Sequence, residues 1–180
     1  MRTRYKTHDS TSQYFITSTI VKWIPVFNNK HNLDALIEAI TYSQQNKGFN
    51  VFDYVIIPEH FHLICSSEKL VSTIQSIKSY TAKRIIDTYK SENNVMILEQ
   101  FIQCKKEYKT ESKYQVWHEG FKPKEILSED MFKQKSDYIH FNPVKRGIVE
   151  SKLDYESSSA RDYFLRMKGR IIIDGLDYEN

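Results

Sequence analysis

The stretch Phe49-Asn-Val-Phe-Asp-Tyr-Val-Ile-Ile57-Pro58-Glu59-His60-Phe-His-Leu-Ile-Cys65 decides the architecture. It holds two short runs rich in Val, Ile, Phe and Tyr, separated by two residues. Such runs read as strands, and the Pro58-Glu59 break between them reads as a tight connection. Upstream, Leu33, Leu36, Ile37 and Ile40 recur at helical spacing, so Leu33 to Gln44 is a helix with Asn32 as N-cap and Gly48 as its stop signal. Before it, Tyr14–Val21 alternates β-branched and aromatic residues as a strand does, and Phe27-Asn-Asn-Lys30 is a turn.

Downstream of Ser66-Ser67, the residues Leu70, Ile74, Ile77, Ala82, Ile85 and Ile86 lie on one face of a helix from Leu70 to Tyr89. Segment 91–116 is polar around one apolar stretch, Val95–Ile102, and reads as a helical extension or insertion. Tyr114–Trp117 reads as a short strand. Ser128-Glu129-Asp130 opens a further helix with a cap and two first-turn acids. That helix runs through Tyr138 and is expected to end near Asn142-Pro143, because proline disfavours α conformation in the residue before it. The tail, 171–180, is apolar then acidic and is expected to fold back. The order strand, helix, strand, strand, helix, strand is the split βαβ pattern. It predicts an α+β, ferredoxin-like antiparallel sheet, with helices on one face and an added C-terminal helix.

The chain has 180 residues, which predicts a single domain, with its core between about residues 14 and 163 and a tail over 164–180. Hydrophobic residues at 40% and charged residues at 27% exclude a disordered chain. No apolar run reaches the roughly 18–20 residues that span a bilayer. The basic N-terminus lacks the apolar centre of a signal peptide. Cys65 and Cys104 form no metal or redox motif. A soluble, cytoplasmic protein without membrane partners is expected. The net charge of +3 is mild, but five basic residues against Asp87 alone lie between Lys69 and Lys90.

His60-Phe61-His62 carries the first chemical signal. Alternate strand residues share a face, so the two imidazoles converge while Phe61 and Leu63 turn to the core. A pair so spaced can fill adjacent positions on a metal ion, although two strand histidines can equally be plain surface residues. His8, His31, His118 and His140 show no such pairing and read as structural or surface residues. Cys65, opposite Ile64 and the two histidines, reads as packing. The second signal is Ser136-Asp-Tyr-Ile-His-Phe-Asn-Pro-Val-Lys-Arg-Gly147, which puts Tyr138 and Asn142 one turn apart on one helix face. A helical tyrosine is ordinarily a core residue with its hydroxyl at the rim, and this chain has twelve tyrosines.

Taken together, Tyr54-Val-Ile-Ile-Pro-Glu-His-Phe-His-Leu-Ile64, the basic helix, Trp117 and Asp137-Tyr-Ile-His-Phe-Asn-Pro-Val-Lys-Arg-Gly-Ile-Val149 resemble the REP-associated tyrosine transposases. These belong to the insertion-sequence-200-like single-tyrosine branch of the HUH nucleases. Ser158-Ser159-Ala160 resembles a further segment of that family, although Ser157 replaces a tryptophan often found there. The resemblance implies His60, His62 and Asn142 as ligands of Mg²⁺ or Mn²⁺, and Tyr138 as nucleophile on the added helix. It implies a covalent 5′-phosphotyrosine, single-stranded or hairpin DNA as substrate, and a monomer or homodimer. Lys78, Lys83, Arg84, Lys145 and Arg146 are candidate phosphate contacts, expected to form a basic surface around the site. Tyr80, on the basic helix, has apolar neighbours one turn away and reads as packing.

Two other classes compete. A histidine-triad hydrolase needs a third histidine at position 64, which is Ile64. A non-catalytic or domesticated nucleic-acid-binding module acting on repeat hairpins keeps the fold but not the chemistry. An RNA-binding sheet of this class would carry a Lys/Arg-Gly-aromatic run, and none occurs.

Overall fold

The apolar run ahead of Pro58 forms strand β2 (Asn50–Ile57), and the run behind Glu59 forms β3 (His60–Ser66). They pair antiparallel through a two-residue turn, with Ile57 opposite His60. The computed structural model describes residues 12–108 and 112–178; His8 lies outside them. Strand β1 (Tyr14–Thr19) pairs antiparallel with β3, and β4 (Lys124–Glu125) pairs with the start of β1. The sheet order is β2-β3-β1-β4, so β3 lies between β1 and β2, which is the ferredoxin-like split βαβ arrangement.

Helices α1 (Lys30–Asn46) and α2 (Leu70–Ser91) cover one sheet face. Their Leu36, Ile40, Ile74 and Ile77 pack with Phe61, Leu63 and Cys65 of β3 in the main core. The N-cap of α1 is Asn29, whose side chain accepts from the His31 N–H, rather than Asn32. Asn32 is buried inside the helix and donates to the Val26 carbonyl at 3.0 Å. Segment 91–116 does contain a helix, α3 (Val95–Gln103), capped by Asn94. Phe101 anchors it, fully buried with its ring 6.3 Å from that of Tyr89.

The expected strand Tyr114–Trp117 is a single bridge, Ile20 to Trp117. The chain then turns at Gly120, with φ +89°, and returns to form β4 at the other end of β1. Lys124-Glu125 has no apolar alternation, so pattern reading passes over it. The tail does fold back: Ile171 and Ile173 are buried, and the Asp174 N–H donates to the Val51 carbonyl at 2.8 Å. Among the described residues, no helix is long and apolar enough to cross a membrane.

Helix α4 (Glu129–Lys145) lies on the other sheet face, where its Ile139 packs with Val55, Ile57 and Ile64. Ser128 caps it through the Met131 N–H. The helix does not end at Asn142-Pro143 but passes through Pro143 to Lys145. Pro143 lacks an N–H, which costs the Ile139 carbonyl its helical partner, but only within the last turn. The end is a Schellman closure: Ile148 N–H reaches the Pro143 carbonyl and Gly147 N–H the Val144 carbonyl, both at 2.9 Å, with Gly147 at φ +67°. Those extra residues carry Lys145 and Arg146 to the site.

A bulge in β2 shapes the same face. The register shifts between Val51 and Asp53, which turns Asp53 out of the main core and toward α4. There Asp53 Oδ1 lies 3.0 Å from His140 Nε2 and accepts from the Ser159 hydroxyl. Ser159 also receives the Tyr54 N–H at 2.9 Å and donates its own N–H to the Tyr54 carbonyl. Segment 157–159 therefore runs along the outer edge of β2, with Ser158 bridged to Val55, before α5 (Ala160–Leu165). The Ser-His-Asp grouping is a clamp between α4, β2 and the chain end, since all three side chains are buried. Asp53→Ala removes the shared acceptor and leaves His140 and Ser159 buried without it. The expected cost is roughly 3–5 kcal/mol, read from urea unfolding.

Candidate functional site

The hairpin and β1 hold the two histidines. His60 and His62 are 5% and 4% exposed, so they line a buried site rather than an open surface. Their Nε2 atoms face each other at 3.0 Å. His62 Nδ1 lies 2.8 Å from Thr17 Oγ1, its register partner on β1. His60 Nδ1 lies 3.3 Å from Glu59 Oε1. Both Nδ1 atoms thus turn outward to oxygen, and both Nε2 atoms turn inward to one point. Burial, then the nearby His60 and Lys135, push the His62 pKa down to about 3. Burial also lowers that of His60, against the opposing pull of Glu59. Both shifts favour the neutral ring, the form that keeps a lone pair for a ligand.

Helix α4 closes the site with a stripe at four-residue spacing. The Tyr138 ring sits 5.1 Å from the His62 ring, edge to face, and 5.9 Å from Phe15. Arg146, two turns on, pairs with Glu59, beside His60. Asn142 lies midway between them on the same face. Four residues of helix advance about 6 Å and two of strand about 6.7 Å, so the step from Tyr138 to Asn142 matches the step from His62 to His60. Asn142 is 6% exposed, and its Oδ1 is buried without a hydrogen-bond partner. A buried amide oxygen left unpaired is costly unless a ligand satisfies it.

This donor set, two imidazole nitrogens and an amide oxygen, suits a divalent cation. Two ligands at right angles, each about 2.1 Å from an ion, are about 3 Å apart, as the two Nε2 atoms are. The unpaired amide oxygen supplies a further acceptor. Among the described residues no group of three His, Cys, Asp or Glu side chains is placed to hold a metal. Tyr138 itself is 39% exposed and reaches solvent from the same face.

The candidate cations divide. Lys145 Nζ lies 5.8 Å from the Tyr138 ring centre and the Arg146 guanidinium 5.9 Å from that of Trp23, so both border the site. Lys78, Lys83 and Arg84 belong to α2, whose apolar face packs on the opposite side of the sheet. They do not join the histidines in one basic surface as the sequence suggested. The sheet separates them, and Lys78 itself donates to the His118 carbonyl and covers Trp117. Tyr80 is on that far side too, beside α1 residues Glu38, Ala39 and Tyr42. His31 and His118 are exposed, while His140 is the buried partner of Asp53.

No protein-family model and no curated protein matches the chain. Among solved structures, it aligns with a REP-associated tyrosine transposase bound to a REP hairpin. The TM-score is 0.65 at 19% identity, over 100% of this chain and 94% of that one. The chain has the fold of a REP-associated tyrosine transposase. A candidate transposase from Deinococcus radiodurans R1 aligns at TM-score 0.43 and 14% identity, over 76% of this chain and 95% of that one.

Within the transposase fold, several site residues escaped sequence reading. Lys135, whose Nζ lies 5.0 Å from the Phe15 ring centre, could have been found from its i, i+3 spacing to Tyr138. Glu59 adjoins His60 in sequence, but its pairing with Arg146 needs the helix end in place. Thr17 and Phe15 depend on the register of β1 against β3, and no local pattern encodes that register.

Proposed function

We propose that this protein is a DNA strand transferase of the single-tyrosine HUH kind, cutting and rejoining single-stranded DNA beside a hairpin. The observation that carries this reading is the convergence of the His60 and His62 Nε2 atoms, 3.0 Å apart, with Tyr138 packed on its own chain's His62. The hairpin bound by the fold's structural neighbour supports DNA of that form as the substrate.

His60, His62 and Asn142 would hold Mg²⁺ or Mn²⁺. Such an ion, when bound, would polarise a phosphoryl oxygen and stabilise the charge that builds up during displacement. Tyr138 Oη attacks phosphorus and gives up its proton as the P–O3′ bond breaks. The products are a 5′-phosphotyrosine and a free 3′-hydroxyl, the leaving O3′ having taken up the proton. Attack by another 3′-hydroxyl reverses the step and restores the phenol, joining strands without a nucleotide cofactor. Thr17 and Glu59 keep the imidazoles in the ligand orientation, and Lys135, Lys145 and Arg146 draw the backbone in.

The decisive test incubates the protein with folded single-stranded DNA and Mn²⁺ and looks for a covalent adduct by denaturing electrophoresis. An adduct that depends on the metal supports the reading. DNA binding without any adduct would instead favour a non-catalytic hairpin-binding module. Binding is also expected to weaken steeply with salt, by about 0.7 in log–log slope per phosphate contact. Lys145→Ala should lower that slope by about one contact, measured by fluorescence anisotropy between low and physiological salt.

A further inference from the structure

We propose that Trp23 is a stacking platform for an unpaired nucleobase next to the cleaved phosphate. This rests on the DNA-cleaving reading above and adds a positioning residue to it.

The segment Ile20-Val-Lys-Trp-Ile-Pro-Val-Phe27 is apolar almost throughout, and the structure buries Ile20, Val21, Ile24, Val26 and Phe27. Trp23, the largest of these side chains, is instead 55% exposed. Both Lys22 and Trp23 have left-handed backbone, at φ +53° and +56°. Two consecutive side-chain-bearing residues in that region are strained, and such strain persists only where surrounding contacts impose it. Those contacts are present. Val21 N–H donates to the Val116 carbonyl, Trp23 N–H to that of Ile20, Ile20 N–H to that of Glu59, and Phe27 N–H to that of Pro58. The tryptophan turn is therefore fastened to the Pro58-Glu59 turn that starts the histidine strand.

The result is an indole held out of the core, 5.6 Å from the His60 ring and nearly perpendicular to it. Arg146 adds a cation at its face. An exposed aromatic beside a guanidinium, at the rim of a site for a phosphodiester, matches what single-stranded nucleic acid requires. The base stacks, the phosphate meets the cation, and every base has a face to stack. Trp23 would thus fix the nucleotide flanking the scissile bond without selecting its identity.

The test uses the two tryptophans of the chain. Trp117 is 7% exposed and donates its indole N–H to the Lys78 carbonyl, so it serves as an internal reference. Emission of the wild type is expected to fall when a hairpin with a single-stranded flank is added, and that of Trp23→Phe to stay constant. Trp23→Ala should bind the flanked hairpin about tenfold more weakly, while Trp23→Phe restores most of the affinity. The loss should vanish when the flanking nucleotide is abasic, which a merely structural role would not do. A wild type that forms the Tyr138 adduct but shows no quenching, with Trp23→Ala binding as well as wild type, overturns the platform alone. A penalty that persists on the abasic strand also overturns it. Wild-type protein that binds no flanked hairpin overturns both readings.

Discussion

Tyr138→Phe is expected to abolish the covalent adduct and to lower strand cleavage by more than about 10³-fold, with DNA binding retained. The substitution removes one oxygen. The ring contacts with His62, Phe15 and Lys145 involve the aromatic face and edge, so they survive it. Tyr138 is also 39% exposed, so its hydroxyl pays no burial cost that the variant would relieve. The fold should therefore be unchanged, and equal unfolding midpoints for the two proteins check this. If a metal-bound water were the nucleophile, Tyr138→Phe would still cut and neither protein would form an adduct. Cleavage by the variant at near the wild-type rate would remove Tyr138 from the mechanism.

His62→Ala is expected to eliminate cleavage and metal binding together, and its effect on stability is not the one the sequence suggests. A surface ligand could be removed at little cost. His62 is buried, bonded to Thr17 and stacked 5.4 Å from Phe15, so the alanine leaves a gap costing on the order of 1–3 kcal/mol. His62→Gln keeps more of the volume and separates loss of ligand from loss of packing. Saturating Mn²⁺, at about 100-fold over its dissociation constant, should stabilise the wild type by about 2.7 kcal/mol and raise its melting temperature by several degrees. Neither variant should respond. An equal shift in wild type and variants would place the ion elsewhere.

The same residue sets a pH signature in the metal-free protein. Free histidine titrates near 6.5, whereas His62 in the fold does so near 3. Between those values the unfolded chain binds a proton that the native site refuses. The contribution of His62 to stability is thus complete above about pH 6.5 and is lost as pH falls toward 3. His62→Gln should flatten that acid limb in denaturant titrations.

Local chemistry determined much of this protein from sequence alone. Alternation in Tyr14–Val21, and the density of Val, Ile, Phe and Tyr in the two runs on either side of Pro58-Glu59, are enough to place β1, β2 and β3. The period of a strand also puts His60 and His62 on one face. The period of Leu33–Ile40 and of Leu70–Ile86 did the same for α1 and α2, and i, i+4 spacing tied Asn142 to Tyr138. These features depend on neighbours within a few residues, so a single sequence carries them. Tertiary structure decided the rest, because it depends on which distant segments meet. The bulge that turns Asp53 toward His140 answers to α4 and to Ser159, more than a hundred residues away. Two-residue β4 exists only because β1 offers an edge. The burial of the histidine pair is set by Thr17, Phe15 and Tyr138 arriving from β1 and α4. The sheet itself parts Lys78, Lys83 and Arg84 from the site, since charge along a helix carries no information on which side of a sheet that helix will pack.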